Sequence, residues 1–109
     1  MANLVFLNGR IGREPELRET NSGTSVLNVV LGTTYSYKTS TGTYEDKTDW
    51  HDVQIWGKMG ESLSKRLQKG DLIHVSGRIE YNNYEDDKGS KQRRAKIKAV
   101  SVDRLKWKD

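Results

Sequence analysis

Residues 48–70 read TDWHDVQIWGKMGESLSKRLQKG, and the spacing of their apolar side chains changes after Trp56. Up to that point apolar and polar residues alternate, as they do along a strand whose side chains point to opposite faces. The aliphatic residues mark the core face of a strand predicted over Thr48–Trp56, which carries His51, Val53 and Ile55. The opposite face combines aromatic and polar side chains: Trp50, Asp52, Gln54 and Trp56. Tryptophans on a polar face indicate a covering loop or contact with a subunit, a ligand or a nucleotide base.

The same stretch then takes the period of a helix. Met59, Leu63 and Leu67 recur every four residues, which places them on one helix face. Gly70 predicts the C-terminal end of this helix, so we expect about three turns. We predict that the apolar stripe covers one end of the core formed by the strands.

Four further strands are predicted around this segment. The predicted strands are Leu4–Ile11, Thr24–Lys38, Thr48–Trp56, Leu72–Tyr84 and Arg93–Val102. Their order with the helix is β-β-β-α-β-β, the order of a five-stranded OB-fold barrel with one short helix between strands 3 and 4. A five-stranded antiparallel sheet with the helix on one face has the same order and is the alternative. In both cases the fold class is all-β, and residues 1–109 form a single domain.

Composition excludes several kinds of site. The 109 residues carry a net charge of +4, are 33% hydrophobic and 31% charged, and include no cysteine. Disulfides, thiolate zinc sites and iron–sulfur clusters are therefore excluded. The sequence has no long apolar run, and its N-terminus lacks the pattern of a signal peptide. We therefore expect no membrane partner and a cytoplasmic location.

Positive charge is concentrated near the C-terminus. Six cations and no acidic residue lie between Lys88 and Lys98. Such a run predicts either a surface that binds a polyanion or a solvated strand edge protected by charge. Aromatic rings stack on bases and cations neutralise phosphates, so the cations and the tryptophans together favour single-stranded nucleic acid.

Aromatic residues also occur on the predicted second and fourth strands. Tyr84 shares the polar face of the fourth strand with Arg78. On the second strand, Tyr35 and Tyr37 have the parity of the aliphatic core residues. Gly32 is a point where the register of that strand can shift, so the direction of the two tyrosines stays open.

Catalytic chemistry is poorly represented. His51 and His74 are the two histidines of the sequence, and no serine elbow, phosphate loop or metal-ligand spacing accompanies them. We expect His51 to be a hydrogen-bonded histidine of the core face and His74 to be solvated. The sequence therefore predicts a protein that is not an enzyme and has no metal and no cofactor.

Four segments resemble motifs of the bacterial-type single-stranded DNA-binding proteins, including their phage-encoded relatives, and they occur in the same order. The segments are Asn8–Arg18, Ser22–Asn28, Thr48–Lys58 and Leu67–Ile79. The likeness extends over about residues 3–105. It implies an OB fold, a homotetramer, and binding of single-stranded DNA without strong sequence preference during replication, recombination and repair. It also implies a nucleoid-associated protein.

The resemblance assigns residues to this role. The base-stacking aromatic positions of the family fall on Tyr37, Trp50, Trp56 and Tyr84. Its basic positions fall on Arg18, Lys58 and Lys69, which we predict to contact phosphates. The fourth and fifth strands add further predicted phosphate contacts: Arg78, Arg93, Arg94, Lys96 and Lys98.

The chain also departs from the family pattern. Asp52 stands where the family has a basic residue, and Glu80, Asn82 and Asn83 replace most of a basic run. We therefore expect either the path of the DNA backbone or the balance of affinity to be displaced toward the fifth strand. The sequence ends without the linker and acidic tip of cellular family members, as in a trimmed domain or a short phage- or plasmid-type member. Recruitment of replication or repair proteins is accordingly not expected.

A second interpretation is an OB-fold module that acts mainly on RNA or on partner proteins in a replication or primosome assembly. Recognition of RNA rather than DNA depends on contacts to the 2′-hydroxyl, which a sequence does not display. This alternative is left open here.

Overall fold

The computed structural model describes residues 1–106, which form six strands and one helix. Their bounds are β1 Val5–Ile11, β2 Glu16–Glu19, β3 Ser25–Lys38, β4 Tyr44–Trp56, α1 Gly57–Ser64, β5 Leu72–Glu85 and β6 Lys91–Lys106. The five predicted strands correspond to β1, β3, β4, β5 and β6. The short strand β2 is additional.

The five long strands close into a barrel. They pair in the order β1-β5-β6-β4-β3, and β1 returns to β3 through Arg10 opposite Gly32 and Ile11 opposite Leu31. The pairs are antiparallel except β4 with β6, which run parallel at Val53 opposite Ile97. The predicted OB-fold barrel is therefore confirmed, and the open-sheet alternative is wrong because β1 contacts both β5 and β3.

Alternation of side chains fills the barrel. Residues of β3 and β4 that face each other across the pair, such as Leu27 with Ile55 and Val29 with Val53, are buried in the interior. The predicted core face of the third strand is therefore confirmed. Burying a side chain of this size contributes about 1.5–3 kcal/mol, so the barrel interior is the main source of stability.

The helix closes one end of the barrel, as predicted, but it is shorter. It begins at Gly57 and ends at Ser64, which is about two turns. Met59 and Leu63 pack against the core from the helix, whereas Leu67 reaches the core from the turn that follows. The four-residue spacing correctly identified the side chains that pack on the core, of which Leu67 is buried and Met59 and Leu63 are partly buried, but it overestimated the helix length.

The strand β2 was not predicted because its sequence, Glu-Leu-Arg-Glu, has no apolar alternation and all four residues are exposed. It pairs with the edge of β3 from Glu16 opposite Asn28 to Glu19 opposite Ser25. Backbone hydrogen bonds therefore form this strand without a buried face.

Two hairpins extend beyond the barrel. We call residues 33–49 the β3–β4 arm, in which pairing continues to Lys38 opposite Tyr44. Residues 80–96 form the β5–β6 arm, in which pairing continues to Glu85 opposite Lys91. The outer face is the outside of the barrel and its continuation along the arms. It carries the even-numbered residues of β3, β4 and β5, and those of β6 up to residue 98. The inner face is the opposite side.

Candidate nucleic-acid interface

Trp50 lies on the outer face of β4 with 60% of its surface exposed. Its ring packs on two glycines of neighbouring strands. A Cβ atom at Gly32 would lie 2.7 Å from Cζ3 of the indole, and one at Gly12 would overlap the same atom. The two glycines thus form a floor on which the indole lies close to the backbone. The remainder of the ring is exposed to solvent, as the alternation along the strand predicted for a residue of its polar face.

Trp56 is the last residue of β4 and lies half-buried on the same face. It pairs with Val26 of β3, and Val26 pairs on its other side with Arg18 of β2. Lys98 approaches from β6, with Nζ 6.0 Å from the centre of the indole ring. A ring and a cation at this separation attract each other, so one place offers a stacking surface and a positive charge.

The parallel pairing of β4 with β6 brings these groups together. Gln54 lies opposite Lys98, and Lys98 lies opposite Arg78 of β5. Asn28 lies beside Gln54 on β3, with 3.4 Å between its Oδ1 and Nε2 of the glutamine. A row of amides and cations therefore crosses the outer face. Sequence analysis had placed Gln54 on this face but had not identified Asn28 as its neighbour.

Tyr84 lies on the outer face of the β5–β6 arm, with 49% of its surface exposed. It pairs with Gln92, and the next residues of this face toward the barrel are Asn82 and Arg94. The prediction that Tyr84 shares the polar face of its strand with Arg78 is therefore confirmed.

Tyr37 does not lie on that face. The pairing of β3 with β4 passes through Gly32 without a shift, so Tyr35 and Tyr37 occupy the inner face of the β3–β4 arm. Their ring centres are 6.4 Å apart, and the Tyr37 hydroxyl donates a hydrogen bond to Glu45 at 3.0 Å. Three of the four predicted stacking residues therefore share the outer face, and Tyr37 lies on the opposite face of its hairpin.

Three of the predicted phosphate contacts are already paired with carboxylates. The ion pairs are Arg18 with Glu16 at 3.1 Å, Arg78 with Glu80 at 2.9 Å and Arg94 with Asp52 at 3.7 Å. All six side chains are at least 32% exposed. Exposed ion pairs contribute only about 0–1 kcal/mol, so a phosphate can replace the carboxylate. Residues that depart from the family pattern, Asp52 and Glu80, thus act as partners of these arginines.

The other predicted phosphate contacts occupy three different places. Lys96 and Lys98 lie half-buried on the outer face of β6. Lys58 is exposed in the first turn of α1, and Lys69 is exposed in the turn after it, where its backbone N–H donates to Glu14. Arg93 lies on the inner face of the β5–β6 arm, so the structure does not bring it to the outer face with its neighbours.

A groove runs beside Trp56 between β2, β3, β4 and β6. Its polar lining includes Arg13, Arg18, Asn28, Gln54, Arg94 and Lys96. Arg13, which the sequence did not single out, joins the lining because the turn after β1 approaches this side of the barrel. The groove presents hydrogen-bond donors beside the indole of Trp56.

Both histidines are engaged in structural contacts. His51 is half-buried, with Nε2 2.8 Å from the Thr33 hydroxyl, which agrees with the expected hydrogen-bonded core histidine. His74 is not simply solvated, since Nδ1 lies 2.6 Å from Oδ1 of Asn8 and its ring stacks on Phe6. Within residues 1–106, no cluster of three His, Cys, Asp or Glu side chains could hold a metal ion. No helix in that range is long and apolar enough to cross a membrane.

Comparison with known proteins identifies the relatives of this fold. The profile of the "Single-strand binding protein family" matches residues 2–105. Single-stranded DNA-binding protein 1 of Chlorobaculum tepidum is 37% identical over 108 residues, covering 98% of this chain and 67% of that protein. Single-stranded DNA-binding protein B of Bacillus subtilis is 38% identical over 89 residues, covering 82% and 77%.

A solved structure gives the same result. A deletion mutant of the single-stranded DNA binding protein from Thermus aquaticus superimposes with a TM-score of 0.82 and 31% identity, covering 96% of this chain and 51% of that one. The chain thus spans about half the length of the Thermus protein. Proteins of this family are DNA-binding proteins and not enzymes, which agrees with the prediction that this chain is not an enzyme. By its profile match, its relatives and its barrel, the chain belongs to the single-strand binding protein family.

Proposed function

We propose that this protein binds single-stranded DNA without sequence preference and holds it on the outer face. The observation that carries the proposal is the arrangement of exposed aromatic rings and cations on one face of adjacent strands. Trp50 and Trp56 of β4, Lys98 of β6 and Tyr84 of β5 share that face. Single-stranded DNA presents the matching groups, because it carries flat bases that can stack on rings and phosphates that can pair with cations.

Stacking accounts for the lack of sequence preference. Every base has a π-face, and each base stacked on an aromatic side chain contributes about 1–3 kcal/mol. A base must be unpaired before it can lie on Trp50 or Trp56, so duplex DNA does not satisfy these sites. Binding therefore shifts DNA toward the unpaired state by mass action, which suits a protective role in replication, recombination and repair.

Cations hold the backbone beside the stacked bases. Lys96 and Lys98 lie on the outer face of β6, and the paired arginines Arg18, Arg78 and Arg94 join them when phosphates displace the carboxylates. Lys58 and Lys69 extend the positive surface over the α1 end of the barrel. For Tyr37 to stack, the strand must pass from the outer face to the inner face of the β3–β4 arm.

We further infer that the protein forms a homotetramer in the cytoplasm and associates with the nucleoid. The edge of β1 supports self-association, because Val5–Gly9 pairs with β5 on one side and has no strand on the other within residues 1–106. Leu4 and Phe6 are exposed beside this edge, Phe6 to 67%. An open strand edge with apolar neighbours favours pairing with another copy.

The stacking proposal is tested by replacing Trp56 in two ways and measuring binding of fluorescently labelled oligo-dT by anisotropy. We expect Trp56→Leu to weaken binding by about 5-fold to 150-fold, the equivalent of one stacked base. Trp56→Phe keeps a ring and should retain most of the affinity. Lys65→Ala, at the exposed end of α1, is the control and should have little effect.

Binding should also weaken as salt rises. The logarithm of the association constant falls by about 0.7 per phosphate neutralised for each unit of log salt. Equal losses of affinity in Trp56→Leu, Trp56→Phe and Lys65→Ala would contradict base stacking on Trp56. A salt slope near zero would contradict phosphate binding by the cations beside it.

A further inference from the structure

The inner face of the β5–β6 arm carries an arrangement that the outer-face site does not use. The guanidinium carbon of Arg93 lies 3.9 Å from the ring centre of Tyr81. Tyr81 is 51% exposed, and Arg93 is exposed as well. The pair is therefore a flat, positively charged surface in contact with solvent.

Strand register explains how the pair forms. Tyr81 lies opposite Ala95, and Arg93 lies two residues before Ala95 on the same face of β6, opposite Asn83. Because Ala95 is small, it leaves the tyrosine ring uncovered, and the arginine side chain extends diagonally across it. Unlike Arg18, Arg78 and Arg94, Arg93 has no carboxylate partner among residues 1–106.

The chemistry of this pair matches one nucleotide. At 3.9 Å nothing fits between the guanidinium and the phenol ring, so the outer plane of the guanidinium remains as the free stacking surface. Unpaired bases stack on arginine planes as they do on aromatic rings, and the N–H groups at the edge of the guanidinium can donate to phosphate oxygens. We propose that Tyr81 and Arg93 form an additional nucleotide-binding subsite on the inner face of the β5–β6 arm.

The subsite is continuous with the outer-face site and rests on the function proposed above. Tyr84 and Tyr81 lie on opposite faces of the same strand, three residues apart. Among residues 1–106 the edge of β5 is open at this point, because β1 ends its pairing at Val5 opposite Gly77 and residues 80–85 pair with β6 alone. A single strand leaving Tyr84 can therefore cross this edge and place its next base on Arg93.

The test uses Tyr81→Leu, Arg93→Gln and the double variant, with Lys91→Gln as a matched control. Lys91 lies on the same face of the same arm and carries the same charge, but its ammonium lies over no aromatic ring of residues 1–106. Affinity for a long oligo-dT and the number of nucleotides occluded per chain are measured. We expect each single variant to lose about fivefold or more in affinity and to occlude fewer nucleotides. The double variant should lose no more affinity than the single variant that binds DNA more weakly, because both substitutions remove the same subsite. Lys91→Gln should lose less than either single variant.

Other outcomes would overturn the inference. If the double variant binds like the unmodified protein while Trp56→Leu still weakens binding, the subsite does not exist and the proposed function stands. If the unmodified protein binds no single strand, both are wrong.

A changed sedimentation profile with unchanged DNA affinity would assign this face to a contact between copies of the chain. A lower melting temperature with unchanged affinity would make the pair purely structural. If Tyr81→Leu does not fold, Arg93→Gln decides the question, since its exposed side chain supports no buried group.

Discussion

Trp50 is positioned by two residues that have no side chain. Gly12 follows β1 and donates its backbone N–H to the Val30 carbonyl at 2.8 Å, while Gly32 lies directly opposite Trp50 on β3. Because the indole lies on both glycines, its orientation depends on the absence of a Cβ atom at either position. The orientation of the Trp50 ring therefore depends on residues from three segments of the chain: Gly12 after β1, Gly32 in β3 and Trp50 itself in β4.

Gly32→Ala should displace the Trp50 ring, because the added Cβ would lie 2.7 Å from Cζ3 of the indole and 3.1 Å from Cγ2 of Thr48. We expect a loss of about threefold to tenfold in oligo-dT affinity, part of the value of one stacked base. The measurement is a thermodynamic cycle with Trp50→Ala. In the Trp50→Ala background the glycine substitution should have little further effect on binding. An undiminished loss in that background would show that Gly32 acts through the barrel and not through the ring.

We expect Asp52 to compete with DNA for Arg94, since the two side chains form an exposed ion pair at 3.7 Å. Asp52→Asn should therefore tighten oligo-dT binding about 1.5-fold to fivefold at low salt, the value of an exposed ion pair. The salt dependence should become steeper because a further phosphate is neutralised. Asp87→Asn, in the turn between β5 and β6, makes the same change of charge away from Arg94 and is the control. Equal gains in both variants would indicate a general charge effect and no specific competition.

Among the elements, the β3–β4 arm is longer in the structure than the sequence predicted. The β3–β4 arm begins its second strand at Tyr44, four residues before the predicted start at Thr48. Residues 44–47 have no buried face, so their pairing with β3 comes from backbone hydrogen bonds and leaves no apolar period to detect. The sequence did not predict β2 for the same reason, since its four residues are all exposed. Periodicity therefore located every strand of the barrel and missed strand segments that are exposed on both sides.

The position of Tyr37 on the inner face of its arm leads to a prediction about DNA length. A short oligo-dT that fits on the outer face should bind Tyr37→Leu and the unmodified protein equally well. A longer oligo-dT that can pass around the arm should bind the variant about fivefold or more weakly. Tyr37→Phe removes the hydrogen bond to Glu45 and keeps the ring, so it should behave like the unmodified protein with both lengths. A loss that is the same for short and long DNA would place Tyr37 in the outer-face site and contradict the assignment by strand register.

At the scale of the whole molecule, side-chain parity predicted much of the interface. Alternation along one strand was sufficient to place Trp50, Trp56 and Tyr84 on a polar face, because each residue's face depends only on its own strand. The carboxylate partners of Arg78 and Arg94 are set by pairing and side-chain reach, which the sequence does not specify. The same limit applies to the glycine floor, which combines residues of three segments. It does not apply to Arg93, because strand parity alone separates it from Arg94, Lys96 and Lys98 of the same strand.

The barrel also explains why a small, highly charged chain can present aromatic rings. Its interior is filled by aliphatic residues of five strands and by Leu67. The tryptophans of β4 are therefore not needed for the core, and both lie outside the barrel. The fold provides a rigid support, and the outer face provides the contacts proposed for DNA.

The most direct test of this account is intrinsic tryptophan fluorescence during titration with oligo-dT, with duplex DNA of the same length and oligo-U in parallel. A Trp107→Phe background leaves Trp50 and Trp56 as the two remaining fluorophores. We predict strong quenching by oligo-dT, because the bases stack on these two rings, and little change with duplex DNA, whose bases are paired. Stronger quenching by oligo-U would favour the RNA-binding alternative. Absence of quenching by oligo-dT, or equal quenching by duplex DNA, would contradict single-strand binding by base stacking on the outer face.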